Sequence, residues 1–420
     1  MRIFATSLLA RNIAWVLSGS ILVRLSRIFT TYVLARQLSI EDYGIVAIIV
    51  SITQFLNIIS ISLTKDKLVQ CSEKNLENYC QSSWLLQFIS GFIIFLLQCI
   101  IGLYIGLVIS NTIIFFPIAL SAFIHLLTPF TTVQLALLQR NKNFEQFSKI
   151  SNSVLIINNI LIAIFCYLGF SFWSIPLAWI ISIIFQIIFV YNSHIWLPVY
   201  SLNCKYLKEI FSFGLRTSLV EILTRTRESI DYLFVGQFLG LDSLGLYYFA
   251  FNSGLGFTLS VSRPLERTIY SEICSKLPSG FSLNDLFSCI KSASFVVVSI
   301  ISIQSLLAPL YVPFLFGSKW VDAGAVPLLI IICLSGITRL PCKTVCLALR
   351  ANGKLNIELF WNLIFTSLFV IVLFFSSQVS VLYVSLSVLL LHLLMEPAFM
   401  AFGIRFFKSL TYQQYFKENT

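Results

Sequence analysis

The sequence of residues Ile89–Val108 is ISGFIIFLLQCIIGLYIGLV, twenty consecutive positions without a charged side chain. A helix that crosses a bilayer needs about 20 apolar residues. A second run of the same character, IPLAWIISIIFQIIFV, occupies Ile175–Val190. Strands of a membrane β-barrel would alternate apolar and polar residues, and neither run does so. The two runs therefore predict membrane-spanning helices.

The composition extends this interpretation to the whole chain. Of its 420 residues, 58% are hydrophobic and 11% are charged, whereas soluble domains average about 25% charged residues. Helices satisfy every backbone polar group within one segment, as hydrocarbon requires. We therefore predict an all-α integral membrane protein. Twelve segments meet the length criterion, near residues 13–38, 43–63, 82–107, 112–138, 149–168, 172–192, 210–238, 243–270, 289–315, 322–349, 356–376 and 380–404.

The distribution of Lys and Arg predicts the orientation. With twelve spans, both termini and the even-numbered linkers lie on one side, which carries seventeen basic residues against Arg36 and Lys319 on the other. The positive-inside rule makes the crowded side cytoplasmic. We expect a multi-pass protein of the cell inner membrane with both termini in the cytoplasm. Basic linkers beside lipid headgroups account for most of the net charge of +10, so this charge does not indicate a nucleic-acid partner.

Several kinds of chemistry find no support in the sequence. The ten cysteines include no C-x-x-C pair and are expected to be apolar filler. There is no glycine-rich phosphate loop and no His/Asp/Glu group with metal-ligand spacing. The first apolar segment has no small-residue cleavage site and is expected to stay in the protein as a helix. We predict neither an enzyme nor a bound cofactor or metal.

A weak internal repeat predicts the domain organisation. A shift of 201 positions aligns Arg24 with Arg225, and the turn LSIEDYG at 38–44 with LGLDSLG at 239–245. Six helices per copy would give two lobes of the same orientation, an arrangement typical of transporters. We predict an N-terminal lobe at 1–195, a cytoplasmic linker at 196–209 and a C-terminal lobe at 210–420, with a central cavity between the lobes.

Basic residues within the predicted spans are the candidate substrate site. A central Arg costs roughly 2.5–3.5 kcal/mol on insertion scales, so such residues avoid lipid. Nine bases are assigned to spans: Arg24, Arg27, Arg216, Arg225, Arg227, Arg263, Arg267, Arg339 and Lys343. Against them we set five acids: Glu221, Glu228, Asp231, Glu266 and Glu396.

Two interpretations of these charges are open. Structural ion pairs within helices would suit Glu221–Arg225, Arg227–Asp231 and Arg263–Glu266. Nine bases against five acids nevertheless leave four positive charges over, which favours an anionic ligand. The planar guanidinium of Arg binds two phosphate oxygens at once. The acids Asp231 and Glu396 are candidates for coupling transport to protons. The intramembrane histidines His125 and His392 would either relay protons or stabilise helix packing through hydrogen bonds.

Three segments resemble the polysaccharide transporter family, which contains the O-antigen and lipid-linked oligosaccharide flippases. This family belongs to the multidrug/oligosaccharidyl-lipid/polysaccharide exporter superfamily, together with multidrug exporters and the lipid II flippases. The segments are RLSRIFTTYVLARQLSIEDYGIVA (24–47), FGLRTSLVEILTRTRESIDYLFVGQFLGLDSLGLYYFAF (213–251) and APLYVPFLFGSKWVDAGAVPLLII (308–331), followed by ALRANGK (348–354). The third contains a Phe-Gly-x-x-Trp turn at Phe316, Gly317 and Trp320.

The resemblance implies two six-helix lobes around a cationic cavity and a glycan substrate carried on undecaprenyl pyrophosphate. The glycan would be an O-antigen, lipopolysaccharide, capsule or exopolysaccharide repeat unit, and a glycan polymerase and glycosyltransferases would act beside the protein. By position, the resemblance implies five arginines as cavity lining: Arg24, Arg27, Arg225, Arg227 and Arg263. We include Arg339 in the same predicted cationic cavity, because it also lies within a predicted span. Two alternatives remain: an ion-coupled multidrug exporter, which would want acids in its site, and a membrane glycan polymerase, which would want a larger outer loop.

Overall fold

The computed structural model describes residues 22–62, 75–108, 112–141, 143–193, 196–198, 204–276 and 281–418, together with Thr64 and Leu68. For residues 58–62, 213–228 and 409–418, and for a few single positions, the backbone alone is described. Helices make up nearly all of this part of the chain. The predicted all-α class is confirmed.

Fifteen helices follow one another in the described residues. The first seven are α1 (22–37), α2 (Ile40–Ser62), α3 (Leu76–Val108), α4 (Phe115–Leu127), α5 (Pro129–Arg140), α6 (Phe144–Tyr167) and α7 (Ser174–Tyr191). Then come α8 (Cys204–Ser253), α9 (Leu255–Lys276), α10 (Leu283–Tyr311), α11 (Ser318–Asp322), α12 (Ala325–Leu334), α13 (Arg339–Ala351), α14 (Leu355–Ser376) and α15 (Val381–Glu418).

Nine of the described helices are long and apolar enough to cross a membrane, or ten if a bent pair counts as one span. The bent pair is α4 with α5, which meet at 50° where Pro129 begins α5. The segment predicted as the eighth span (243–270) is divided at Gly254, and its second part, α9, is too rich in charge to count. The count of twelve stays a prediction, because residues 13–21 of the first predicted span lie outside the described residues.

Burial along α3 is inverted relative to a soluble helix. Gln87 and Gln98 are fully buried, whereas Ile100, Tyr104 and Leu107 expose more than 60% of their surface. Water would drive the opposite arrangement, since burial of apolar surface is the main favourable contribution to folding. Lipid tails solvate the outward apolar side chains, and the amides find hydrogen-bond partners inside the bundle. The chain is thus a multi-pass membrane protein.

Two compact units divide the chain, the first ending at Ser229 and the second beginning at Ile230. In the first, α3 and α4 approach so closely that a Cβ added at Gly91 would overlap the carbonyl oxygen of His125. The start of α8 packs on the ends of α3 and α5: Ile210 is fully buried in a cluster with Tyr79 and Val133. The Tyr79 hydroxyl also donates a hydrogen bond of 2.6 Å to Glu209.

The Phe-Gly-x-x-Trp turn has a packing role in the second unit. Gly317 begins α11 with a φ of 98°, a conformation that side chains rarely adopt. This turn directs Trp320 into the core, where its ring stacks on Phe249 at a centroid distance of 3.9 Å. Trp320 and Phe249 are both fully buried. The motif therefore fixes the connection between α10 and α12.

The repeat detected in the sequence coincides with two helix breaks. The chain leaves helical geometry at Leu38 and Ser39, between α1 and α2. Within α8, only Gly240 departs from helical geometry, with φ 84° and ψ 178°. The shift of 201 positions maps Ser39 onto Gly240. Both copies of the repeat thus interrupt a helix at the equivalent position. In the first copy two residues lie between separate helices, and in the second a single glycine is non-helical.

We expect Gly240→Ala to lower the free energy of unfolding by about 1–3 kcal/mol, because glycine alone adopts this backbone region without strain. An added Cβ would meet no atom within 4 Å, so the cost is purely conformational. Thermal unfolding of the purified protein in detergent checks this, with Asp242→Ala in the same turn as control. Equal unfolding temperatures for the glycine variant and wild type would show that the turn relaxes freely.

Candidate functional site

A buried carboxylate in the second unit is held on both of its oxygens. Asp231 of α8 is 4% exposed. Its Oδ2 accepts a hydrogen bond of 2.8 Å from the Tyr247 hydroxyl, and its Oδ1 accepts one of 3.0 Å from the Tyr232 N–H. The break at Gly240 allows the chain to turn so that Tyr247 reaches Asp231. The Tyr232 ring packs edge-on against Tyr247 and Tyr248, which closes the site on that side.

A second buried acid lies on α15. Glu396 is also 4% exposed. Its Oε1 lies 2.9 Å from Nδ1 of His392, one turn earlier, and its Oε2 accepts a hydrogen bond of 2.6 Å from the Thr338 hydroxyl. The His392 ring packs against Phe365 at 5.0 Å between ring centroids. Pro397 follows directly and removes a backbone donor from the helix.

Arg339 connects the two acids electrostatically. It begins α13, directly after Thr338, and its side chain is half-buried. Its charge acts on both Asp231 and Glu396. Its guanidinium also donates to the Ser335 hydroxyl oxygen at 3.3 Å. In this cluster two carboxylates lie in the field of one guanidinium, and His392 lies beside Glu396. With His392 neutral, a single proton on a carboxylate or on His392 makes the cluster electrically neutral. A buried cluster of this kind favours the neutral state.

The count of intramembrane charges needs a correction at Lys343. The five acids set against nine bases omitted Glu358, which lies within the predicted span 356–376 and is 2% exposed. Lys343 is 3.0 Å from Glu358 Oε1. Arg350 donates two hydrogen bonds to the same carboxylate, from Nη2 to Oε1 at 2.7 Å and from Nε to Oε2 at 2.9 Å. The excess of positive charge is therefore three, and Lys343 has an acidic partner on the next helix.

The arginines of α1 lie away from the face that packs on its own unit. At 100° per residue, Ser26 and Thr30 lie on one face of the helix, and Arg24, Arg27 and Thr31 share an adjacent face whose centre is about 110° away. The Ser26–Thr30 face contacts α6, where Asn159 donates to the Ser26 hydroxyl at 2.9 Å and its carbonyl accepts from Thr30 at 2.8 Å. Arg24 is half-buried and Arg27 is exposed.

The remaining predicted cavity residues are only partly visible. Arg225 and Arg227 lie on the helical backbone of α8, and their side chains are outside the described residues. Arg263 is exposed on α9 of the second unit. The structure thus brings Arg339, Asp231 and Glu396 into one cluster and places Arg24 and Arg27 on one helix face. That any of the arginines contacts a substrate stays a prediction.

A polar network in the first unit was not predicted from the sequence. The Gln98 amide nitrogen donates to Thr53 at 2.9 Å and to Ser121 at 2.8 Å, and its oxygen lies 2.8 Å from Nε2 of His125. An amide oxygen only accepts, so His125 carries its proton on Nε2. These four side chains, from α2, α3 and α4, are buried. The sequence signal that could have indicated this network was Gln98 itself, a polar residue within the uncharged run Ile89–Val108.

Comparison with known proteins identifies the family. The sequence model described as "Polysaccharide biosynthesis protein" matches residues 33–325, more than half of the chain. The teichuronic acid biosynthesis protein TuaB of Bacillus subtilis (strain 168) is 23% identical over 296 residues, 68% of this chain. The chain spans 59% of TuaB's length. The succinoglycan biosynthesis transport protein ExoT of Rhizobium meliloti (strain 1021) is 26% identical over 374 residues, 84% of this chain and 71% of ExoT.

Solved structures share the fold at low sequence identity. The lipid II flippase MurJ in an inward closed conformation has a TM-score of 0.77 at 14% identity, covering 93% of this chain and 87% of MurJ. An inward-facing multidrug resistance transporter of the MATE family in the MOP superfamily has a TM-score of 0.67 at 15% identity, covering 94% and 99%. The family match over residues 33–325 shows that the chain belongs to the polysaccharide biosynthesis protein family, and it has the fold that MurJ and the MATE transporter share.

Proposed function

We propose that this protein flips a lipid-linked oligosaccharide from the cytoplasmic to the outer leaflet of the inner membrane. The substrate would be a polysaccharide repeat unit on undecaprenyl pyrophosphate, and the protein would act without covalent catalysis. The observation that carries the proposal is the arginine pair on α1. Arg27 is exposed, on a face of α1 next to the one whose Ser26 and Thr30 bond to α6 of the first unit. An exposed guanidinium within a membrane protein suits a phosphate ligand.

The family supports the glycan part of the substrate. TuaB and ExoT carry names from polysaccharide biosynthesis, and MurJ is a lipid II flippase. We propose alternating access, in which the binding surface opens first to the cytoplasm and then to the outside. The polyprenyl tail would stay in lipid while Arg24 and Arg27 hold the pyrophosphate. Binding there would offset the positive charge and permit the change of state.

We further propose that Asp231 and Glu396 couple this transport to protons. Both carboxylates are buried within reach of the charge of Arg339. With His392 neutral, the cluster holds one negative charge more than Arg339 neutralises, and one proton on Asp231, Glu396 or His392 would remove it. Proton binding and release would therefore change the electrostatic energy of a site that joins α8, α13 and α15. Such a change can bias the equilibrium between two conformations.

Glu396→Gln is expected to abolish stimulation of flipping by a pH gradient and to leave slow flipping down the substrate gradient. Glutamine keeps an oxygen that accepts from Thr338 but does not take up a proton. Flipping in proteoliposomes, with and without an imposed pH gradient, measures this. The control is Glu41→Gln, which alters an exposed acid at the start of α2. Gradient stimulation as large in Glu396→Gln as in wild type would exclude Glu396 from coupling.

The competing function is multidrug export, which the structural likeness to MATE transporters favours. The location of the lipid-linked glycan in cells that lack this protein distinguishes flipping from drug export. We expect lipid-linked glycan to accumulate in the cytoplasmic leaflet, inaccessible to a membrane-impermeant oxidant in right-side-out vesicles. A normal outward pool of glycan together with raised retention of cationic dyes would instead assign the protein to drug export.

A further inference from the structure

A cluster of three charged side chains in the second unit lies outside the proposed coupling site. It consists of Lys343 and Arg350 on α13 and Glu358 in the first turn of α14. The carboxylate is 2% exposed, whereas the side chains of Lys343 and Arg350 are 27% and 36% exposed. Two cations share one anion, so the cluster carries one uncompensated positive charge.

The geometry assigns that surplus charge to Lys343. Arg350 alone occupies both carboxylate oxygens, with Nε on Oε2 at 2.9 Å and Nη2 on Oε1 at 2.7 Å. This bidentate pair is complete without a third group. Lys343 adds one contact of 3.0 Å to Oε1. An ammonium has three N–H donors, so two of them are unused within the described part of the chain.

The position of the cluster indicates what kind of anion it meets. Arg350 is next to the last residue of α13, and Lys343 precedes it by two helical turns, about 10 Å of helix rise. Its long side chain runs toward the helix end, where its Nζ lies beside the Glu358 carboxylate. The same stretch of α13 contributes Val345 and Cys346 to an apolar cluster with Trp361. The sequence predicts that this end of α13 lies on the cytoplasmic side, where basic groups between helices are suited to lipid phosphate.

We propose that Lys343, positioned by the Arg350–Glu358 pair, binds the phosphate of a membrane lipid. Glu358 orients the ammonium and leaves two N–H groups for phosphate oxygens. Two lipids carry the required chemistry: a glycerophospholipid with a phosphodiester, and a polyprenyl lipid with a pyrophosphate. The site does not depend on the proposed flipping activity, because a bulk phospholipid fits it equally well.

Lys343→Met tests the site. The variant removes the surplus charge and leaves the Arg350–Glu358 pair intact. Binding of phosphatidylglycerol to the full-length, delipidated protein is followed by native mass spectrometry. We expect about fivefold weaker binding, the effect of one lysine near an anionic lipid. Lys343→Arg should retain the affinity. The matched control is Lys354→Met, which removes the same charge from an exposed position just after α13.

Glu358→Gln provides a test in the opposite direction. It raises the charge of the cluster by one and keeps acceptor capacity, so phosphatidylglycerol should bind more tightly. A merely structural cluster would lose stability without any gain in lipid binding. This variant also decides the question if Lys343→Met fails to fold. The proposal would be overturned if Lys343→Met bound both phosphatidylglycerol and undecaprenyl pyrophosphate as wild type does, or if Glu358→Gln bound neither lipid more tightly than wild type.

The same titration with undecaprenyl pyrophosphate identifies the source of the phosphate. A loss confined to phosphatidylglycerol would assign Lys343 to bulk lipid, and a loss confined to undecaprenyl pyrophosphate would assign it to a polyprenyl substrate. A loss for both would show a general phosphate site. Each of these results supports the site, and each is obtained without measuring transport.

Discussion

Gln98→Leu is expected to lower the free energy of unfolding by roughly 3 kcal/mol, because a buried polar group without a partner costs about 1–3 kcal/mol. Gln98 bonds to Thr53, Ser121 and His125, and all four side chains are buried. The variant leaves the His125 ring without its amide partner. Nδ1 of His125 already lacks a hydrogen-bond partner within the described residues. Unfolding by SDS titration, followed by circular dichroism, measures the loss.

A double variant separates the network from simple packing. Replacing both partners by apolar residues of similar size can be nearly neutral. Gln98→Leu combined with His125→Leu should therefore recover much of the lost stability. The control Gln81→Leu, on the same helix, removes only an exposed hydrogen bond to Glu77 and should change little. If Gln98→Leu is no more harmful than Gln81→Leu, the network does not hold α2, α3 and α4 together.

Arg24→Ala combined with Arg27→Ala is expected to slow glycan-lipid flipping at least about tenfold. Each hydrogen bond to a charged group contributes about 1.5–3 kcal/mol, and 1.4 kcal/mol corresponds to a factor of ten. Neither side chain takes part in the hydrogen bonds that join Ser26 and Thr30 to Asn159 of α6, so the double variant keeps these bonds. Initial rates of flipping in proteoliposomes measure the effect.

The matched control is Arg36→Ala on the same helix. Arg36 lies over the Tyr32 ring at 5.4 Å and is exposed near the end of α1. It carries the same charge but lies where the helix ends, on the side predicted to be external. We expect its loss to leave flipping unchanged. A double variant that folds as wild type and flips at the wild-type rate would return Arg24 and Arg27 to a structural role.

The fold class followed from the sequence because lipid imposes a strong and local constraint. Continuous apolar runs such as Ile89–Val108 correspond to real helices. The ends of helices were less predictable, since they depend on backbone breaks. Gly240 was visible as part of a turn, but its extended ψ of 178° was not. The division at Gly254 was missed because a glycine within an apolar segment does not by itself indicate a break; the close approach of Leu329, 3.1 Å from an added Cβ, comes from a distant part of the chain.

The individual residues of the candidate site could be predicted from the sequence, but their arrangement in space could not. Asp231, Arg339 and Glu396 stood out as charges in apolar segments. That they form one cluster depends on the packing of α8, α13 and α15, which lie far apart in sequence. Glu358 was overlooked near the end of a span, where a charge is unremarkable. Gln98 was overlooked because it is uncharged. Hydrogen-bond partners on other helices leave no local pattern.

Flipping by the purified wild-type protein tests the central claim most directly. The protein is reconstituted into proteoliposomes with a fluorescent undecaprenyl-pyrophosphate oligosaccharide, and a membrane-impermeant quencher reports the fraction on each face. We predict that the protein exchanges the lipid between leaflets, whereas empty liposomes and liposomes with a heat-unfolded sample do not. Absence of exchange by folded protein with every glycan from the source organism, accompanied by efflux of cationic dyes, would contradict the account.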